Sequence, residues 1–486
     1  METGVWISLI LYFALMLGIG FYAWRKSTDT AEGYVLGGRN LHPAVAALSA
    51  GASDMSGWLL LGLPGALYAS GLIEAWIGIG LFVGAFINWI VVAPRLREQT
   101  KRYDNSLTIP EFLANRFPSA ALTLRVVSAV IIVVFFAVYT ASGLVGGGKL
   151  FASAFDGGYM TGVLLTLGVV LVYTVFGGFL AVSLTDFVQG CIMMLALIIM
   201  PIVILTTGQG AGVDAAAERL ATEVDPNFLS MTHGLTLLGF LSTFAWGLGY
   251  FGQPHIIVRF MAVRSLKDVP VARNIAMLWM AISLAGAVGV GIFGRTYMER
   301  NGLMLEDPET IFIVLSELLF HPLVTGFLFA ALLAAIMSTV SSQLLVSSSS
   351  LTEDFYKVFL NRNATEHELV TVGRISVALV GVVAILIASN QDSSVLDLVS
   401  NAWAGFGAAF GPLIILSLTW KRMTGAGAVA GLVVGAGTVG IWIAAGLSGV
   451  LYEIIPGFLA SAAAIVIVSL LTKDRGEFRA LETSAE

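Results

Sequence analysis

The chain consists mainly of apolar runs, each long enough to cross a membrane. About thirteen windows of roughly 20 mostly apolar residues follow one another. Only 12% of the 486 residues are charged, about half the share in soluble domains, so a soluble protein is excluded. The sequence predicts one all-α polytopic membrane domain over residues 1–486, with windows at 5–23, 44–70, 73–93, 122–148, 160–183, 185–206, 232–254, 271–297, 322–347, 370–389, 394–418, 424–446 and 450–471.

The basic residues predict the orientation of these windows. With the N-terminus outside, all but four of the 25 Lys and Arg residues fall on the inner side, in line with the positive-inside rule. The odd number of spans then places the C-terminus in the cytoplasm. The four exceptions are Lys149, Arg219, Arg295 and Arg300.

Composition also limits the chemistry that the chain can carry out. Its one cysteine, Cys191, allows neither an intrachain disulfide nor a Cys-based metal site. The net charge of −6 is small and does not favour nucleic-acid binding. Because no complete motif for ATP binding or hydrolysis is present, the sequence predicts neither an enzyme nor an ATP-driven pump, and no organic cofactor.

Asp54 is the only ionisable residue that this arrangement leaves deep inside a span. A charge at the bilayer centre costs about 3 kcal/mol on insertion scales, and the glycines and serines of 49–58 disfavour an unbroken helix. The pattern predicts a helix broken at the membrane midplane, with carbonyl groups and half-helix ends free to bind an ion or a polar solute. The alternative is close packing of small residues, with Asp54 in a structural pair.

A second interruption is predicted over residues 245–255, where three glycines and Pro254 again disfavour a continuous helix. Trp246 and Tyr250 are four residues apart and share a helix face, so we expect them to line a pocket. The alternative for these aromatic side chains is the interfacial belt. His255 is interpreted as a residue of the membrane boundary or of a loop.

The two interrupted spans lie five spans apart. Spans 2 to 6, over 44–206, and spans 7 to 11, over 232–418, therefore predict two repeats of opposite orientation, followed by two additional helices over 424–471. Interrupted helices at corresponding positions of two inverted repeats are typical of transporters, whose binding site lies between them.

Adjacent hydroxyl groups in span 9, on Ser338 and Thr339, are candidates for binding the ion. Hard cations collect several neutral or carboxylate oxygens, so these hydroxyls and carbonyl groups of span 2 would form a suitable shell for sodium. The alternative is that each hydroxyl bonds back to a carbonyl group one turn earlier in its own helix.

Several long strings of residues resemble the sodium/solute symporter family, over about residues 34–471, with the nearest likeness to bacterial members that carry proline. The resemblance implies a LeuT-like fold, with a 5+5 inverted-repeat core within about 13 transmembrane helices. The strings are 36–39, 47–60, 176–181, 246–255, 334–339 and 402–412.

The resemblance also implies the site residues. Sodium ligands are expected at the carbonyl groups of Ala52, Met55 and Ala335 and the hydroxyls of Ser338 and Thr339, with Asp54 as the carboxylate required for sodium-dependent function. Substrate contacts are expected at Ser56, Gly57, Tyr139, Trp246, Tyr250 and Pro254. Residues that couple sodium to transport are expected at Arg39 and Asp186.

Together these features predict a secondary active transporter of the bacterial inner (plasma) membrane. The expected activity is sodium-coupled symport of L-proline into the cell by alternating access, with Na⁺ as the coupling ion and a monomer as the unit. The alternative of the same fold is a sodium symporter for pantothenate, a sugar, sialic acid or another amino acid. A sensor and a channel are the alternatives from other classes.

Overall fold

The structure is a computed structural model that describes residues 3–26, 30–155, 157–207 and 212–472. This part of the chain is helical, which confirms the predicted all-α class. The α-helices are α1 (Thr3–Lys26), α2 (Ala31–Leu36), α3 (Pro43–Asp54), α4 (Gly57–Leu60), α5 (Gly62–Ser70), α6 (Ala75–Val91), α7 (Ala93–Arg102), α8 (Ile109–Arg116), α9 (Ala121–Ala154), α10 (Tyr159–Thr206), α11 (Val213–Arg219), α12 (Leu237–Phe244), α13 (Pro254–Ala262), α14 (Val269–Arg300), α15 (Ile311–Leu319), α16 (Pro322–Ser349), α17 (Glu366–Ile387), α18 (Val395–Thr419), α19 (Gly425–Ala444) and α20 (Ile454–Leu471).

Short helices of other types connect or extend these elements. One of them forms the second interruption, and another continues α16. The 3₁₀ helices are Gly37–Arg39, Leu72–Glu74, Pro118–Ala120, Ala245–Gly252, Leu266–Asp268 and Pro308–Thr310, and the π-helical segments are Leu220–Val224 and Ser350–Leu360.

Ten helical segments in the described residues are long and apolar enough to cross a membrane, and a bent pair raises the number to 11. The pair is α3 with the segment Gly57–Ser70, at an angle of 71°. The predicted spans 160–183 and 185–206 form one helix in this count. The predicted span 232–254 corresponds to a shorter apolar segment, Leu237–Gly252. Three basic residues assigned to the inner side, Lys473, Arg475 and Arg479, lie outside the described residues.

The long helix α10 contains one residue with a non-helical backbone, Gly178, at φ 56° and ψ −152°. Glycine fits this position because φ is positive and because a Cβ there would lie 2.7 Å from the Tyr34 ring. Gly178 lies about two turns before residue 184, where the sequence predicted the boundary between two spans. The run is apolar on both sides of Gly178, so hydropathy does not reveal the break.

The helices differ in how much of their apolar surface is buried. In the segment of α16 and in α18, 83% of the apolar window is buried inside the protein, against 28% in α1 and α20. The outer helices expose large apolar side chains such as Leu11, Leu386 and Leu471, as expected for helices that face lipid. The buried centre of the fold is therefore formed by α16, α18 and the broken helices packed against them.

Candidate functional site

The first broken helix ends at the predicted carboxylate. Helix α3 ends at Asp54, and Met55 leaves the helical region at φ −82° and ψ 77°. Ser56 then starts α4 as its N-cap, with its side-chain oxygen accepting a hydrogen bond from the Trp58 N–H at 3.4 Å. Serine is a favoured N-cap because its oxygen satisfies a free backbone N–H. The predicted interruption is confirmed.

The second predicted interruption is also confirmed. The backbone forms a 3₁₀ helix over Ala245–Gly252, is extended at Gln253 and becomes α-helical at Pro254. Helix α6 approaches this segment closely, since a Cβ added to Gly84 would lie 2.2 Å from the carbonyl oxygen of Gly247. The glycines around the interruption thus bring an intact helix against the 3₁₀ segment.

Asp54 joins the two broken helices. Its side chain, 2% exposed, accepts a hydrogen bond on Oδ2 from the hydroxyl of Tyr250. Its main-chain carbonyl accepts from the Trp58 indole and from the Tyr139 hydroxyl, both at 3.3 Å. The second carboxylate oxygen, Oδ1, has no hydrogen-bond partner among the described residues. The site therefore holds a buried acceptor that the described part of the chain leaves without a donor.

The hydroxyl groups of α16 face the end of α3. Ser338 Oγ lies 2.7 Å from the Ala52 carbonyl oxygen and 3.1 Å from that of Ala335. Thr339 Oγ1 lies 3.4 Å and 3.3 Å from the same two oxygens. The hydroxyls thus bond back within α16 and also reach across to α3. Four of the five expected sodium ligands converge, and Met55 is fully buried at the adjacent break.

Four of the six residues expected to contact the substrate lie near Asp54. Tyr139 and Tyr250 bond to it directly, whereas Ser56 and Gly57 start α4, where both are buried. These four residues therefore lie at the first break or are hydrogen-bonded to it.

The other two expected substrate residues point elsewhere in this structure. Trp246 stacks on Tyr452 with ring centroids 5.3 Å apart, and its carbonyl accepts from the Trp403 indole at 2.7 Å. Pro254 lines a separate cavity together with Phe179 and other residues. Among the described residues, Trp246 therefore packs against Tyr452, and Pro254 lines a cavity whose walls do not include Asp54.

Asp186 is a second fully buried acid within the apolar helices. It accepts hydrogen bonds from Arg259 at 3.0 Å and from Ser49 at 2.7 Å. The expectation that Asp54 alone lies inside a span is therefore wrong. Arg259 was not predicted, although an arginine within the apolar run of α13 is itself a signal of a buried polar site.

Arg39 belongs to a different set of contacts. Its guanidinium donates to the Thr100 hydroxyl and to the Met261 carbonyl, both at 3.1 Å, and to the Ser106 carbonyl at 2.5 Å. The two residues expected to couple sodium to transport, Arg39 and Asp186, therefore have separate partners.

His255 is not a boundary or loop residue, contrary to the sequence-based interpretation. It is fully buried near the start of α13. Its ring lies edge-on against those of Phe136 and Tyr139, with centroids 5.3 Å and 5.7 Å away. The apolar residues that follow Pro254 continue into the protein interior, which explains the error.

A small cavity lies beside Asp54 and Tyr250, between α3, α6, α13 and α14. Its polar lining includes Asn88 of α6, which is 1% exposed. Sequence reasoning missed Asn88, although a lone amide inside the apolar run 81–92 is a comparable signal to a lone charge.

The chain is similar over nearly its whole length to known transporters. The high-affinity proline transporter PutP of Bacillus subtilis is 56% identical over 458 residues, covering 94% of this chain and 96% of that protein. The osmoregulated proline transporter OpuE of the same organism is 53% identical, with 97% and 96% covered. A sodium/proline symporter of Staphylococcus aureus strain JH9 is 51% identical, with 97% and 94% covered.

Solved structures show the same type of fold. A Na⁺-coupled sialic acid symporter in a substrate-bound, outward-open state has a TM-score of 0.83 at 18% identity, covering 98% of this chain and 99% of that one. Mhp1, a nucleobase-cation-symport-1 family transporter in a closed conformation with bromovinylhydantoin bound, has a TM-score of 0.56 at 13% identity, with 94% and 98% covered. At these identities, both comparisons show that the chain has a LeuT-like fold and nothing more.

The model of the sodium:solute symporter family matches residues 34–435, most of the chain and all of the residues described at the two broken helices. The likeness predicted from the strings around Asp54, Trp246 and Ser338 is thereby confirmed. This chain is an integral membrane transporter that belongs to the sodium:solute symporter family.

Proposed function

We propose that the chain carries L-proline into the cell together with sodium, across the bacterial plasma membrane. The observation that carries this proposal is the contact of Ser338 and Thr339 with the Ala52 carbonyl, directly beside the break at Asp54. Relatives of nearly equal length that are 51–56% identical bear names of proline transporters, which supports proline as the solute.

Sodium binds, in this proposal, between α3 and α16. The carbonyl groups of Ala52, Met55 and Ala335 and the hydroxyls of Ser338 and Thr339 are its ligands. A hydroxyl that now donates to a carbonyl can turn its hydrogen away and present a lone pair to the ion, because its hydrogen rotates freely. Asp54 adds negative charge next to this oxygen shell.

Proline binds in the adjacent gap between the two broken helices. Ser56, Gly57, Tyr139 and Tyr250 contact it there, and the free N–H groups at the start of α4 suit its carboxylate. Trp246 and Pro254 reach the substrate after the second broken helix shifts during transport. Sodium orders the end of α3 and so completes the proline site, while Arg39 and Asp186 link that step to opening on the inner side.

The proposal includes 13 spans, with the N-terminus outside and repeats over 44–206 and 232–418 followed by two helices over 424–471. At 1.5 Å per residue, α10 corresponds to about 72 Å, more than twice the roughly 30 Å bilayer core. Its break at Gly178 therefore divides it into two spans, and the broken segment from α12 to α13 adds another. Each proposed repeat then begins with a broken helix.

Coupling to sodium supplies the driving force for accumulation by alternating access. At a membrane potential of 100 mV, one sodium ion contributes about 2.3 kcal/mol. This energy corresponds to roughly 50-fold accumulation of proline before any sodium gradient is counted.

The test is uptake of radiolabelled proline by proteoliposomes containing the purified chain, with equal inward gradients of sodium or potassium. We expect uptake only with sodium, increased by an inside-negative potential. Unlabelled pantothenate, sugars, sialic acid and other amino acids serve as competitors. Equal uptake in potassium contradicts sodium coupling, and stronger inhibition by one of the competitors than by unlabelled proline contradicts the substrate assignment.

A further inference from the structure

We propose that the cavity between α3, α6 and α14 binds the ammonium group of the substrate, and that Asn88 is a specificity-determining residue of this subsite. This inference rests on the proposed function and adds to it the group that recognises the substrate's nitrogen. It starts from two buried oxygen atoms in the cavity wall.

The first oxygen belongs to Asn88. Its Nδ2 donates a hydrogen bond to the Tyr250 carbonyl at 3.0 Å, so the orientation of the amide follows from this contact. The opposite end, Oδ1, has no hydrogen-bond partner within the described chain. Asn88 therefore offers one fixed, buried acceptor.

The second oxygen is Oδ1 of Asp54. Tyr250 occupies only Oδ2 of this carboxylate, and Oδ1 has no partner in the described residues. Asp54, Asn88 and Tyr250 line the same cavity. Since buried acceptors without donors are costly, two of them beside one cavity indicate a ligand that brings two donors.

The ammonium group of proline has the required chemistry. It carries two N–H donors, no acceptor and a positive charge, which complements a carboxylate and an amide oxygen. The cavity has room for roughly one water-sized group in this structure. That is the size of the ammonium group, while the ring and carboxylate of the substrate remain in the gap between the broken helices.

The remaining lining favours an organic cation over a second sodium ion. Trp89, Phe260, Trp279 and Met280 contribute aromatic and sulfur-containing surface. Aromatic faces attract organic cations, whereas a hard metal ion collects several oxygen ligands, such as the five proposed between α3 and α16. Two acceptors in an otherwise apolar wall suit an ammonium group.

The test compares proline with N-methylproline, which keeps the charge but has one N–H donor fewer. In the wild type we expect N-methylproline to compete for sodium-driven proline uptake roughly 10- to 100-fold more weakly than proline itself. In Asn88→Ala, which removes the acceptor and makes room for the methyl group, this ratio falls to about 3-fold or less. With proline at saturating concentration, the half-saturating sodium concentration stays the same.

Asn88→Asp is the matched control. It loses the same N–H bond to the Tyr250 carbonyl but keeps an oxygen in the cavity, so we expect it to retain the preference for proline. The ratio of two competitors does not depend on how much protein is folded. If transport is lost in a variant, binding of labelled proline to the purified protein in detergent gives the same ratio.

Three results overturn the subsite: an unchanged ratio in Asn88→Ala, loss of the preference in both variants alike, or a shift in the sodium half-saturation at unchanged selectivity. The last result would assign the cavity to a sodium ion instead of the ammonium group. The wild type is measured first, and absence of sodium-driven proline uptake there contradicts the proposed function rather than the subsite.

Discussion

At the scale of single residues, some polar atoms around Asp54 have hydrogen-bond partners among the described residues and others have none. The Tyr250 hydroxyl joins the two broken helices and the Tyr139 hydroxyl joins α9 to the Asp54 carbonyl, while Oδ1 remains free among the described residues. A purely structural pairing of Asp54 would use both carboxylate oxygens. The free oxygen favours a role in binding.

Asp54→Asn is expected to raise the half-saturating sodium concentration by about tenfold or more. The amide keeps an oxygen for the Tyr250 hydroxyl but removes the negative charge beside the proposed ion. Uptake is measured as a function of sodium, with the amount of protein in the membrane determined by immunoblotting. An unchanged sodium curve would make Asp54 a structural residue.

Ser338→Ala and Thr339→Ala are each expected to raise the sodium half-saturation about 3- to 10-fold, because each removes one oxygen from the proposed shell. Ser349→Ala is the matched control in the same helix, since this hydroxyl bonds to the Leu345 carbonyl at 2.8 Å within α16. If all three variants keep the wild-type sodium curve, the proposed shell is wrong.

The site residues that could be predicted from the sequence are polar residues within otherwise apolar runs. Asp54 and the Ser338–Thr339 pair are polar groups in apolar runs, and both lie at the site. Arg259 and Asn88 are also polar residues in apolar runs. Whether they belong to the site depends on which helices pack against them, and the local sequence does not show this. Asp186 finds its partner 73 positions along the chain, and no local pattern encodes such a distance.

At the scale of elements, some breaks in the helices can be predicted from the sequence and others cannot. The breaks at Met55–Ser56 and over 245–253 follow from clusters of glycine, serine and proline. The break inside α10 rests on Gly178 alone. A pair of glycines in an apolar run is also common in helix packing, so the sequence does not distinguish the two cases.

Gly178→Ala is expected to destabilise the protein by about 1–3 kcal/mol, because alanine at positive φ is strained and its Cβ would approach Tyr34. Thermal unfolding of the purified protein in detergent measures this effect. Gly168→Ala in the same helix is the control, since a Cβ there meets nothing within 4 Å. Equal melting temperatures for the two variants would contradict the role assigned to Gly178.

At the scale of the whole molecule, the predicted all-α membrane architecture is confirmed, whereas the described residues show 10 or 11 candidate spans where the sequence predicted 13. The general all-α membrane architecture follows from apolar runs, which depend on composition alone. The number of crossings depends on how the breaks divide the helices, namely the bend after α3, Gly178 in α10 and the segment from α12 to α13.

The proposed orientation predicts which loops are reached from outside. Cys191→Ser removes the single cysteine, and Met304→Cys then places a thiol at a residue that is 93% exposed. A membrane-impermeant thiol reagent should label Met304→Cys on intact cells, but label Arg422→Cys only after permeabilisation. The opposite pattern would reverse the topology.

The most direct measurement is proline binding to the purified protein at increasing sodium concentrations, because linkage requires two coupled ligands to strengthen each other's binding equally. Sodium should raise the affinity for proline at least fivefold, and proline should raise the affinity for sodium by the same factor. Ser338→Ala should shift this dependence to higher sodium concentrations. Equal proline affinity in sodium and in potassium would contradict a proline site that sodium completes.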